Sequence, residues 1–136
     1  MTSGMKFIRV ACAIIEQDGK VLAAQRSEIM DLPLKWEFPG GKIDQDESPE
    51  ECLKRECLEE LGIEVAVGEA LSPVMHSYLA FTVTLYPFFC TIASGKITLH
   101  EHKAIIWLAS EKLTSLDWAD ADWPIIKEYI GRCDDI

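Results

Sequence analysis

The tetrapeptide Ser48-Pro49-Glu50-Glu51 constrains the fold of this 136-residue chain more than any other stretch. Ser48 is a favoured N-cap, Pro49 suits a first helical position where no N–H is needed, and Glu51 stands three residues after the cap, able to reach back to it. The spacing predicts a helix from Pro49 to about Leu61, with Gly62 supplying the left-handed residue that ends it. Before and after this helix the chain reads mainly as strands.

Phe7, Ile8, Val10, Ala11, Ala13, Ile14 and Ile15 make Lys6 to Ile15 an apolar, β-branched run that fits a buried strand. Asp18-Gly19 signals a tight hairpin, Val21 to Ala24 the returning strand, and Ser27 to Lys35, aperiodic and carrying Pro33, a loop. Segments 64–67, 74–78, 81–91 and 104–108 read as further strands, with a turn at Ser94-Gly95-Lys96. A last helix is expected from Trp123 or Pro124 to Ile130 with Asp122 at its N-cap. One domain over residues 1–136 of class α/β or α+β, built on a mixed sheet, follows from this order and from the length.

Half of the formal net charge of -10 falls between Gly40 and Ile63, where eight acidic residues face three basic ones. At about 100° per residue, Glu56, Glu59 and Glu60 share one helix face beside an apolar stripe of Leu53, Cys57 and Leu61. Like charges at such spacings repel by a few tenths of a kcal/mol each, so a cation should compensate them. Glu-rich helix faces are commonly just solvated. Hard carboxylate oxygens also suit Mg²⁺ or Mn²⁺, which are usually bound together with substrate phosphates, and a polyphosphate substrate is the natural corollary. The acidic balance excludes an extended grip on nucleic-acid polymers.

The segment ahead of the helix, Trp36-Glu37-Phe38-Pro39-Gly40-Gly41-Lys42-Ile43, has two adjacent glycines where backbone bends sharply or comes close to a ligand. Together with the helix it reads Gly41-x5-Glu47-x7-Arg55-Glu56-Cys57-Leu58-Glu59-Glu60-Leu61-Gly62-Ile63. This resembles the Nudix box, Gly-x5-Glu-x7-Arg-Glu-U-x-Glu-Glu-x-Gly-U, where U is a bulky aliphatic. Every fixed position matches, and the one departure is Cys57 at the first aliphatic position, which a small buried thiol can fill.

The resemblance implies a Nudix hydrolase with an α/β/α sandwich and a mixed sheet, cleaving a nucleoside diphosphate linked to another group, with Mg²⁺, or Mn²⁺, as cofactor. By position, Glu56, Glu59, Glu60 and the Gly40 carbonyl are expected to ligate metal, and Arg55 to pair with Glu47. Glu56 is the first choice for general base, with Glu47 and Glu101 as alternatives because the family places its base variously.

Nearly the whole chain looks similar to the MutT-like and CTP pyrophosphohydrolase branch, in which a nucleoside triphosphate yields a monophosphate and pyrophosphate. There Arg26 matches an arginine that contacts phosphate, Glu101, six residues before Trp107, matches an additional metal ligand, and Asp122 matches a base-binding Asn or Asp. An ionised carboxylate accepts without donating and so suits the exocyclic amine of cytosine, making CTP, dCTP or a modified cytidine triphosphate the leading substrate. A protonated Asp122 could also donate, which would admit oxidised dGTP. ADP-ribose or dinucleoside polyphosphates, and a sensor that binds without hydrolysing, are the other readings; the three box glutamates favour catalysis.

His100 and His102 lack a third ligand at zinc spacing and read as solvated loop residues. Phe81, Tyr86, Trp36 and Phe38 are candidates for stacking a base, while Trp107, Trp118 and Trp123 read as packing residues. The five cysteines form no Cys-x-x-Cys and read as buried thiols of a reduced compartment. The start Met-Thr-Ser-Gly-Met carries no secretory pattern, and no apolar run is long enough to span a bilayer, so a cytoplasmic monomer or homodimer is expected. Met5 reads as the natural initiator, with residues 1–5 disordered or added ahead of it.

Overall fold

The computed structural model describes residues 6–134, so the expectation for residues 1–5 lies outside the described residues. Eight strands and two helices follow in the order β1 (Lys6–Gln17), β2 (Lys20–Gln25), β3 (Trp36–Glu37), β4 (Gly40–Lys42), α1 (Pro49–Leu61), β5 (Glu64–Ala70), β6 (Val74–Ser77), β7 (Phe81–Ser94), β8 (Ala104–Leu108) and α2 (Trp123–Asp134). Short 3₁₀ turns at Ser110–Ser115 and Asp120–Asp122 lead into α2.

Strand β1 is the spine. It runs parallel to β7 from Lys6↔Phe81 to Ile15↔Cys90, takes β4 antiparallel on its other edge, and turns into β2 at Glu16↔Val21. Strand β2 is flanked by β3 and β8, both antiparallel, while β5 and β6 pair with β7. The sheet is therefore mixed. Asp18 and Gly19 both have positive φ (53° and 77°), the conformation of the two-residue turn whose twist matches the flanking strands.

The apolar run of β1 feeds two cores. Ala11, Ala13 and Ile15 pack with Cys52, Leu53, Cys57 and Leu61 of α1, whereas Cys12 and Ile14 pack with Trp118, Ile125, Ile126 and Tyr129 on the α2 side. Successive strand residues point to opposite faces, so a continuous hydrophobic segment signals a sheet covered on both sides. This is the expected α/β/α sandwich.

Helix α1 has the predicted boundaries. The Ser48 hydroxyl accepts from the Glu51 amide (3.0 Å), the Glu51 carboxylate accepts from the Ser48 amide (2.8 Å), and Gly62 closes the helix at φ 70°. The last helix is longer than expected, continuing through Gly131 to Asp134. Strands β3 and β4, two and three residues long, were not anticipated; their pairing partners on β2 and β1 lie far away in sequence. All five cysteines are free and four are buried. No helix among the described residues is long and apolar enough to cross a membrane.

Candidate active site

Strand β4 brings the glycine pair against α1 and β1. A Cβ on Gly40 (φ 152°) would collide with the Ala11 carbonyl, so that position must lack a side chain, and one on Gly41 would displace the Glu56 carboxylate from its place beside the turn. The chain between β4 and α1 is then fastened to the helix by Arg55. Its Nε and Nη2 donate to the two Glu47 oxygens (2.8 and 3.0 Å), Nη2 also donates to the Lys42 carbonyl (3.2 Å), and Nη1 donates to Glu56 Oε1 (2.8 Å). The Asp44 amide donates to Glu47 as well (2.9 Å). These donors hold the Glu47 carboxyl down at about 2, and the Glu47 and Glu56 carboxylates push the Arg55 guanidinium up, so both Glu47 and Arg55 stay charged at any ordinary pH.

One turn further along, the situation inverts. Glu60 is 7% exposed, its Oε1 has no hydrogen-bond partner, and its neighbours Glu56, Glu37 and Glu101 are all acidic. Burial, then hydrogen bonding to the Glu56 carboxyl and the surrounding negative charge, push the Glu60 carboxyl up to about 9. Glu59 stays largely in solvent, 3.6 Å from Arg55 Nη1. Among the described residues no three carboxylates already surround a common point at metal-ligand distance; Arg55 draws Glu56 and Glu59 toward itself instead. An orphaned buried oxygen among hard, like-charged donors nevertheless fits a divalent cation of the Mg²⁺ type.

The end of α1 is tied to the segment carrying Glu101. The Thr98 and His100 amides donate to the Leu61 and Glu60 carbonyls (2.8 and 3.2 Å), and His100 Nδ1 donates to the Glu59 carbonyl (2.6 Å). Glu101 is exposed at the rim of the cluster. His102 is not the solvated residue expected from sequence. Its side chain is 0% exposed and Nε2 lies 2.8 Å from Glu37 Oε2.

Glu37, which sequence reasoning passed over, joins the candidate residues. Its other oxygen accepts from Arg26 Nη1 (2.8 Å), and Arg26 Nε donates to the Asp31 carbonyl. The signal available was a lone carboxylate between two aromatics directly before the Pro39-Gly40-Gly41 bend.

Asp122 directly precedes α2, closing the 3₁₀ turn, and is buried. Burial raises its carboxyl well above the ordinary range, Glu37 pushes in the same direction, and a hydrogen bond with the Phe38 backbone and the charge of Arg26 oppose them only in part. Nearby, the Tyr78 hydroxyl accepts from the Ala121 amide (2.9 Å), and Tyr78 stacks on Phe81 with centroids 5.1 Å apart. Phe38 lies in the core against Trp118, 4.8 Å between centroids. Thus Arg26, Glu37, Glu60, Glu101 and Asp122 form one electrostatic neighbourhood, with Glu37 at its centre.

The fold and the box geometry converge on one lineage, and the chain matches the NUDIX domain over residues 5–129. It belongs to the Nudix family. It is 39% identical to the CTP pyrophosphohydrolase of Escherichia coli over 93% of this chain and 94% of that protein. It is 30% identical to the 8-oxo-dGTP diphosphatase of Haemophilus influenzae over 93% and 94% of the two chains. The crystal structure of the MutT protein of Methanosarcina mazei superimposes with a TM-score of 0.85 at 27% identity, covering 99% of this chain and 100% of the other. The protein is accordingly a Nudix hydrolase with a MutT-like fold.

Proposed function

We propose that this Nudix hydrolase is a Mg²⁺-dependent nucleoside triphosphate pyrophosphohydrolase, releasing a nucleoside monophosphate and pyrophosphate, with CTP, dCTP or a modified cytidine triphosphate as substrate. The observation that carries the reading is the buried Glu60 carboxyl, unpartnered at Oε1 within an acidic cluster that lies against Gly41 through Glu56. Glu56, Glu59, Glu60, Glu101 and the Gly40 carbonyl would hold the metal. When bound, it supplies neutralisation of the phosphate oxygens and lowers the pKa of water.

The remaining roles fall to the chain itself. Glu56 takes the proton of the attacking water; Glu47, held at about 2 by three N–H donors, is too weak a base to compete. Water oxygen bonds to phosphorus, the bridging P–O bond between the α and β phosphates breaks, and pyrophosphate leaves. Arg55 keeps the glycine turn and helix in register through Glu47 and orients Glu56 through Oε1. Arg26 contacts the phosphates, steadied by Glu37.

Identity to the E. coli CTP pyrophosphohydrolase supports the cytidine reading. A second reading, oxidised dGTP, is favoured by the burial of Asp122, which shifts its carboxyl toward the protonated form that donates as well as accepts. Steady-state assays of the common ribo- and deoxynucleoside triphosphates with their oxidised and methylated forms decide between them. The highest kcat/KM should fall on a cytidine triphosphate; a maximum on 8-oxo-dGTP selects the second reading, and no pyrophosphate release from any of them at millimolar Mg²⁺ refutes both.

A further inference from the structure

Three strand ends meet beside the acidic cluster. Arg26 follows β2, Glu37 ends β3, and His102 precedes β8, with β3 and β8 both paired to β2 at Gln25 (Gln25↔Trp36 and Gln25↔Ala104). The Lys103 amide donates to the Gln25 carbonyl (2.9 Å), which pins the residue after His102 to the same strand end. His102 Nε2 lies 2.8 Å from Glu37 Oε2, and Glu37 Oε1 accepts from Arg26 Nη1 at 2.8 Å.

The imidazole is fully enclosed, and its Nδ1 has no hydrogen-bond partner. Its polar influence on the site therefore runs through the Glu37 carboxylate. A glutamate on a two-residue strand has several rotamers available, and contacts at both oxygens select one of them. Of the five N–H groups of Arg26, the Nε–H and one on Nη1 are engaged in this way, and none on Nη2 is engaged among the described residues.

We infer that His102 is a positioning residue for phosphate binding: its Nε2–H fixes Glu37, and Glu37 fixes the Arg26 guanidinium with Nη2 free for the triphosphate. The inference rests on the reading of Arg26 as a phosphate contact. It separates His102 from the neighbouring Glu101, assigned above to metal, although the two are adjacent in sequence.

The test measures binding of the non-hydrolysable α,β-methylene analogue of CTP by calorimetry, alongside kcat, KM and the Mg²⁺ concentration for half-maximal activity. His102→Leu should weaken analogue binding and raise KM by about 10-fold while kcat changes by less than about 3-fold, the signature of a binding interaction common to ground and transition states. His102→Gln, which can place an N–H near the lost Nε2, should recover binding to within about 2-fold. In an Arg26→Ala background, His102→Leu should change affinity by less than about 2-fold, because residues acting as one unit are non-additive. Equal loss in both backgrounds, no recovery by His102→Gln, or a shifted Mg²⁺ requirement would overturn the inference. If His102→Leu fails to fold, His102→Asn, too short to reach Glu37, takes its place. Unaltered analogue binding by Arg26→Ala overturns it too, whereas tight analogue binding without any turnover refutes the proposed reaction alone.

Discussion

Two carboxylates belonging to one motif, Glu47 and Glu60, sit in opposite electrostatic circumstances. Glu47 accepts from Arg55 and the Asp44 amide and is held at about 2; Glu60, buried among Glu37, Glu56 and Glu101 with one oxygen unpartnered, is driven to about 9. The first arrangement is complete within the chain and acts as a latch. The second carries an unfavourable charge distribution that a proton or an outside cation relieves. On the proposed reading, the difference separates the half of the motif that builds the site from the half that would bind the cation, since satisfied ion pairs stabilise whereas crowded, desolvated carboxyls favour a cation.

The strongest way to break this contrast is Glu56→Gln, which touches both halves. Turnover should fall by about 10²- to 10⁴-fold, with the melting temperature nearly unchanged. Stopped assays and thermal unfolding on the same samples check it, and a near-normal kcat would remove Glu56 from the reaction. Asp122→Ala lies away from the helix and should narrow the ratio of kcat/KM between the preferred triphosphate and its rivals by about 5- to 100-fold, leaving pyrophosphate as the product. An unaltered base profile would take Asp122 out of recognition.

Arg55→Ala sharpens the latch side. Losing a partly exposed, multiply bonded guanidinium should cost about 1–2 kcal/mol, read as a fall of about 3–8 °C in melting temperature. Retained stability would show that the glycine turn holds without the latch. The smallest effect belongs to the recruiting side. Because the folded Glu60 carboxyl sits at about 9, above its ordinary value of 4.5, its contribution to metal-free stability is full below about 4.5 and is lost as pH rises toward 9. Asp122, also raised, acts in the same direction. Mg²⁺ prefers the ionised carboxylate, so the stabilisation it confers should grow by about 2–5 °C between about pH 6 and pH 9. Glu60→Gln should abolish that growth in differential scanning fluorimetry with and without chelator; persistence of the growth would locate the cation elsewhere.

What could be read in advance followed from local physics. The Ser48 capping box, the Asp18-Gly19 turn and the Gly62 terminus each depend on a few neighbouring residues, and all three are present. The box glutamates could be placed on one face by helical periodicity alone. Strands β3 and β4 could not be foreseen, because segments this short owe their conformation to partners on β1 and β2 rather than to their own propensity. The solvated reading of His102 fails for a related reason: its Nε2 partner is Glu37, 65 residues away, and nothing beside it in sequence announces that contact. Glu37 itself escaped notice because its significance is relational, arising only where Arg26, His102, Glu60 and Asp122 come together.

The alternation along β1 has a mechanical corollary. Since neighbouring residues from Ala11 to Ile15 serve opposite layers, inserting or deleting a single residue there would swap the occupants of both interiors at once, with no register in which half the molecule survives. Length variation must therefore be absorbed in connections such as the loop between β2 and β3, which leaves β1 as a keel of fixed gauge.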